Sequence, residues 1–146
     1  MEDRFKKTEY HLYKFKDIDK LNQLADIKIK QLLNDVSIKA ISYEEKSSPT
    51  NAFHSSVESE VIKRDEHIRD KIEQLKKDKE RGIIEKELIT TTLDLLEDDE
   101  RKLVELRYFS KPTRSWTSIA QDLNQSVDNC IKVRKKVIGK LSDYIL

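Results

Sequence analysis

Apolar residues recur at steps of three and four along two long stretches and one short C-terminal series, which predicts helices throughout. In the first stretch Phe15, Ile18, Leu21, Ala25, Ile29, Leu32 and Val36 draw one stripe, so a single helix is expected over residues 4–36 with a lysine-rich polar face opposite. A helix with one narrow stripe needs an antiparallel neighbour or a coiled-coil partner. Periodicity stops over residues 37–56, where the tract SYEEKSSPTNAFHSS predicts a flexible or partner-ordered loop. Ser55 and Glu58 have the spacing of a capping box that restarts a helix. Val57, Val61, Ile68, Ile72 and Leu75 form the second stripe, and Ile84, Leu88 and Leu95 resume a helical face after Gly82. Gly82 is either a kink or a break. The simplest packing of the two stretches is an antiparallel α-hairpin.

The C-terminal pattern is denser. Asp98 and Asp99 suit a helix N-terminus, and that helix is expected to end at Phe109, because Lys111 precedes Pro112 and avoids the helical region. Ser115 caps a short helix that turns Trp116, Ile119, Ala120 and Leu123 inward. Asn124 suits a tight turn, and Ser126 caps the last helix. In that helix Cys130, Val133, Val137 and Leu141 form the inward face. The fold class is therefore all-α: a long, coiled-coil-like N-terminal helical hairpin (1–96) for oligomerisation or partner binding, then a C-terminal helix-turn-helix domain (97–146).

Composition supports helices and limits the core. Two glycines and two prolines in 146 residues, with 39% charged, suit long solvated helices rather than turn-rich sheets, and 36% hydrophobic residues allow only a modest core. The net charge of +1 conceals an asymmetry. Residues 107–140 hold eight Lys/Arg against Asp122 and Asp128, a net of +6, which leaves −5 for the rest. Such an end is suited to nucleic acid.

Other chemistry finds little support. Cys130 is the only cysteine, so no intrachain disulfide forms. It falls on the inward face, where it reads as a small hydrophobe. His11, His54 and His67 lie far apart and never at ligand spacing with cysteine, so no metal is expected. Two isolated glycines cannot build a phosphate-cradling loop. No enzyme and no cofactor are therefore expected. The start, MEDRFKKTEY, has no apolar run, and nothing approaches transmembrane length. A cytoplasmic protein without a membrane partner is the expectation.

The series DDERKLVELRYF, SWTSIAQDL and SVDNCIKVRKKVIGKL resembles the region-4 domain of bacterial sigma factors. The resemblance covers the last third of the chain. There is no room for the region-2 domain that melts promoter DNA, so independent promoter opening is not implied. Taken with the long N-terminal helix, the polar loop and the second charged helix, the layout resembles phage late transcriptional regulators of the ArpU/RinA type. That implies an activator of late operons for packaging, morphogenesis or lysis in prophages of Gram-positive bacteria, acting in the host cytoplasm.

The resemblance assigns roles to particular residues. It places the start of the last helix, capped by Ser126, against base edges, with Val127, Asp128, Asn129 and Lys132 as readers. Asn bonds adenine at two points, Asp accepts from cytosine and Lys donates to guanine. Arg114, Ser115, Lys135 and Lys136 are then phosphate contacts, aided by Thr113 and Thr117 near a helix N-terminus. The competing structural readings are a helix-dipole role for Asp128 and a core role for Trp116. Double-stranded DNA is the expected partner, with RNA polymerase or a second copy of the chain on the N-terminal helices. Two alternatives stay open: a phage small terminase subunit that marks DNA for packaging, and a helical adaptor that binds no DNA.

Overall fold

The computed structural model describes the backbone of residues 2–46 and 54–146, and the side chains of 2–35 and 63–146. There are six helices among the described residues and no strand: α1 (Glu2–Phe15), α2 (Ile18–Lys46), α3 (His54–Leu93), α4 (Asp98–Tyr108), α5 (Trp116–Leu123) and α6 (Val127–Ile145). The all-α class follows from the chain's 3–4 periodicity. No helix among the described residues is long and apolar enough to cross a membrane.

The expected single helix over 4–36 is instead two. The chain turns at Lys16 and Asp17, with Asp17 N–H donating to the Lys14 carbonyl at 2.9 Å. Tertiary contacts on both sides of the turn explain it. Phe15 stacks on Phe109 with ring centroids 4.5 Å apart, Ile18 is buried, and Asp17 accepts Lys111 at 2.6 Å. A few helical hydrogen bonds are lost, and the burial of Ile18, worth roughly 1.5–3 kcal/mol, with the partial burial of Phe15 offsets them.

The chain divides into two compact units. The first joins Met1–Asp19 to Gly82–Leu146, and the second is Lys20–Arg81. The expected boundary at 96/97 therefore does not hold, because α1 and the end of α3 share a core with the C-terminal helices. Leu12, Ile89, Leu93, Val104, Tyr108, Val137, Ile138 and Leu141 form that core, and Phe5, Tyr13, Phe15 and Leu96 pack against it. A satellite cluster of Leu103, Ala120 and Cys130 lies under Trp116, Leu123, Val127 and Val133.

In the second unit the inward positions step by three and four on both helices. Ala25, Ile29 and Leu32 of α2 are half-buried, as are Ile68 and Leu75 of α3, and Ile72 is buried. Lys79 donates to Asp26 at 2.7 Å. Leu21, expected on the stripe, is exposed.

Helix α3 runs for 40 residues straight through Gly82, so that glycine is no break. The inward register of Ile68, Ile72 and Leu75 continues through Lys79, Gly82 and Lys86 to Ile89, Leu93 and Leu96. Ile84, Leu88 and Leu95, the expected face, point to solvent instead. The helix carries two apolar strips, and only the strip in register with the earlier residues is buried. The expected loop also shrinks: α2 continues to Lys46 and α3 begins at His54, so Ser55 lies within a helix. Residues 47–53, and the side chains of Val36, Val57, Val61 and the Ser55–Glu58 box, lie outside the described residues.

Candidate nucleic-acid interface

The C-terminal helices are set by local capping. Helix α4 starts with Asp98, Asp99 and Glu100, and Glu97 N–H donates to Glu100 Oε1 at 3.3 Å. Glu100 is only 4% exposed and receives Lys140 Nζ at 3.2 Å, so its charge is matched from α6. Ser115 Oγ accepts from Ser118 N–H at 3.2 Å and opens α5. Asn124 adopts the left-handed conformation (φ 53°, ψ 43°), which a short polar side chain tolerates. Gln125 N–H then returns to the Ala120 carbonyl at 3.0 Å. Ser126 Oγ accepts from Asn129 N–H at 3.1 Å, and α6 begins one residue past Ser126. Two helices are thereby joined by only three residues: Asn124, Gln125 and Ser126.

Helix α6 separates its faces cleanly. Cys130, Val137, Ile138 and Leu141 are buried, whereas Asp128, Asn129, Lys132, Lys135 and Lys136 are exposed on the opposite side. At 3.6 residues per turn these five fall within ~120° of arc. Asn129 Nδ2 donates to Gln125 Oε1 at 2.9 Å, which orients the amide. Burial raises the Cys130 thiol pKa, so the thiol stays protonated and inert.

Five of the eight cations in residues 107–140 are committed internally. Arg107 donates to Tyr13 Oη at 3.1 Å and lies over the Trp116 ring at 4.8 Å. Lys111 pairs with Asp17, and Lys140 with Glu100. Arg114 pairs with Asp122 at 2.6 Å and donates to Ser118 Oγ at 2.6 Å. Its guanidinium holds the Asp122 carboxyl below the usual range. Arg134 meets Glu9 at 2.6 Å and sits over Phe5 and Trp116, at 4.9 and 5.6 Å. Burial opposes that charge, yet Tyr108 and Glu9 together raise the Arg134 pKa. Among the described residues Lys132, Lys135 and Lys136 have no carboxylate within ion-pair distance.

Two expected contact residues are therefore placed differently. Val127 is half-buried against the Leu103–Ala120–Cys130 cluster, because the first turn of α6 must cover α5. Arg114, just before α5, is held by Asp122 and Ser118 of that helix. Ser115 and Ser126 are exposed but already accept capping bonds. Asp128, Asn129, Lys132, Lys135 and Lys136 do come together on one face.

The part played by α1 was not anticipated. Glu9 accepts from both Tyr108 Oη and Arg134 Nε, the latter at 2.7 Å, and so ties α1 to α4 and α6. Burial, with the Glu9 hydrogen bond second, pushes the Tyr108 phenol well above its usual pKa. The signal was present in the 3–4–3 spacing of Phe5, Thr8, Leu12 and Phe15, where Thr8 and Leu12 are fully buried.

Residues 18–143 match the family model described as "Protein of unknown function (DUF722)". The chain belongs to the DUF722 family. The match opens at the first residue of α2 and takes in every helix from α2 through most of α6, including the exposed lysine face of this DUF722 chain. No curated protein and no solved structure matches it.

Proposed function

We propose that the chain is a sequence-specific DNA-binding transcriptional regulator, an activator of phage late genes of the ArpU/RinA type. In this reading an N-terminal helical hairpin is coupled to a C-terminal helix-turn-helix, with α5 and α6 as its two helices and the host cytoplasm as its compartment. The observation that carries the reading is the face of α6: Asp128, Asn129, Lys132, Lys135 and Lys136 exposed together, directly opposite the buried residues. A helix anchored in this way presents its first turns to the major groove. Asn129, oriented by Gln125, reads adenine, and Lys132 donates to guanine, each worth about 1–3 kcal/mol of discrimination. Lys135 and Lys136, one turn further on, neutralise phosphates without reading sequence. Ser115, Thr113 and Thr117 line the start of α5, a second place for a phosphate oxygen. Arg114 and Arg134 have no part in DNA contact in this scheme, because both are held by carboxylates within the fold. RNA polymerase or a second copy is the partner of the N-terminal helices.

Site selection from random duplex DNA, followed by titration of the selected site against salt, tests the reading. A defined motif is expected, with affinity falling steeply as salt rises. Asn129→Ala should relax specificity at one position. Lys135→Ala should weaken every sequence alike and lower the salt slope by about 1. Salt-sensitive binding without any motif would favour a terminase-like packaging role, and no binding at all would reduce the chain to an adaptor.

A further inference from the structure

Asn129 is held twice at the start of α6. Its backbone N–H donates to Ser126 Oγ at 3.1 Å, and its Nδ2 donates to Gln125 Oε1 at 2.9 Å. An amide nitrogen carries two hydrogens, so one of them and the Oδ1 acceptor stay free for a ligand. That donor and acceptor, side by side, match N7 and the N6 amino group of adenine. The match depends on which way the amide is turned about its last bond, a torsion with two nearly equivalent settings.

Gln125 is only half engaged. Its Oε1 is taken by Asn129, and among the described residues its Nε2 has no acceptor and is open to solvent. The two amides can turn over together and keep their mutual bond, so an acceptor on Gln125 Nε2 is what fixes the direction of the pair. Gln125 lies just before the Ser126 cap, at the opposite end of the exposed face from Lys135 and Lys136. At 1.5 Å per residue the stretch from Gln125 to Lys136 covers ~16 Å, more than the ~12 Å width of the major groove. The two ends of the face therefore reach the two strands that border the groove, one end by charge and the other by an amide donor.

We propose that Gln125 is a DNA-contacting and positioning residue: its Nε2 donates to a phosphate oxygen while its Oε1 holds Asn129 in the orientation that reads adenine. The proposal rests on the DNA-reading role of α6 and adds a coupling between a backbone contact and base choice. Phosphate, Gln125, Asn129 and adenine form one directed chain of hydrogen bonds.

Titrations of full-length variants test it, on the selected duplex and on duplexes changed at the base pair whose preference Asn129→Ala erases. Gln125→Leu is expected to lower the adenine preference at that pair about tenfold and to weaken binding to every duplex. Added to Asn129→Ala, it should cost affinity but no further preference. Gln125→Glu still accepts from Asn129 Nδ2 but has no hydrogen to give a phosphate. It should keep the adenine preference while binding every duplex at least about tenfold more weakly. The backbone bond from Gln125 N–H to the Ala120 carbonyl survives both changes, so far-UV circular dichroism and the Tm should match the wild type. Wild-type preference in Gln125→Leu would overturn the proposal, as would wild-type affinity in Gln125→Glu. A loss of preference at a different base pair would overturn it too, in favour of Gln125 as the reader of its own base. These three outcomes leave the regulator reading standing, whereas a wild type that selects no motif would remove that reading and this proposal together.

Discussion

Replacing Leu12 by alanine removes a side chain with no solvent exposure from the centre of the larger core, where Ile89, Leu93, Val104 and Tyr108 share its cluster. α1 packs on both α4 and α6, so the hole would open beneath α6, the helix that carries the lysine face. Fully buried Leu→Ala changes cost about 3–5 kcal/mol, the lost transfer free energy plus the cavity left behind. For a unit of this size that lowers the Tm by more than ~10 °C. In urea, where slopes run about 1–3 kcal/mol/M, the midpoint should fall by about 1–5 M at unchanged slope. Trp116 is the single tryptophan and lies in the satellite cluster, between Arg107 and Arg134. Its fluorescence therefore reports on the C-terminal helices rather than on α1 itself. Tyr10→Ala, on the exposed side of α1, is the control and should stay within about 0.5 kcal/mol. Equal midpoints for the two variants would refute the claim that α1 belongs to the core of the unit that holds the C-terminal helices.

Glu9→Ala leaves the Arg134 guanidinium and the Tyr108 hydroxyl without their shared acceptor, so denaturation should show a loss of about 2–4 kcal/mol. Tyr108 holds its proton more tightly folded than unfolded, so its contribution is whole below the unfolded value of 10.0 and is lost as pH rises beyond it. Unfolding between pH 9 and 11 should show that alkaline decline, and Tyr108→Phe should flatten it. Gly139 sits in the interior of α6 with nothing within 4 Å of an added methyl, so Gly139→Ala should raise stability by about 0.5–1 kcal/mol in the same urea titration.

The elements most legible in the chain were those defined by local signals. Ser115, Asn124 and Ser126 act as cap, turn and cap because each uses its own side chain or its own backbone conformation within four residues. The inward face of Cys130, Val137 and Leu141 followed from spacing alone, and the exposure of Lys132, Lys135 and Lys136 followed from that face. The long helices were less legible. α3 carries two apolar strips, and local pattern does not say which one finds a neighbour; the expected face of Ile84, Leu88 and Leu95 is exposed, whereas Ile89 and Leu93 are buried. The lysine and arginine count was also a poor guide, since a formal charge does not show which cations have a carboxylate nearby in space.

What the chain determined by itself was its helical class, the caps and turn between α5 and α6, and the amphipathic division of α6, because hydrogen bonds over three or four residues and a 3.6-residue repeat are short-range physics. What only the tertiary structure decided was the turn at Asp17, the inclusion of α1 in the C-terminal core, and the internal pairing of Arg134 with Glu9 across 125 positions. Those outcomes depend on burial and ion pairing between distant segments, whose energies of about 1–3 kcal/mol apiece outweigh the tenths by which helix propensity distinguishes one local conformation from another.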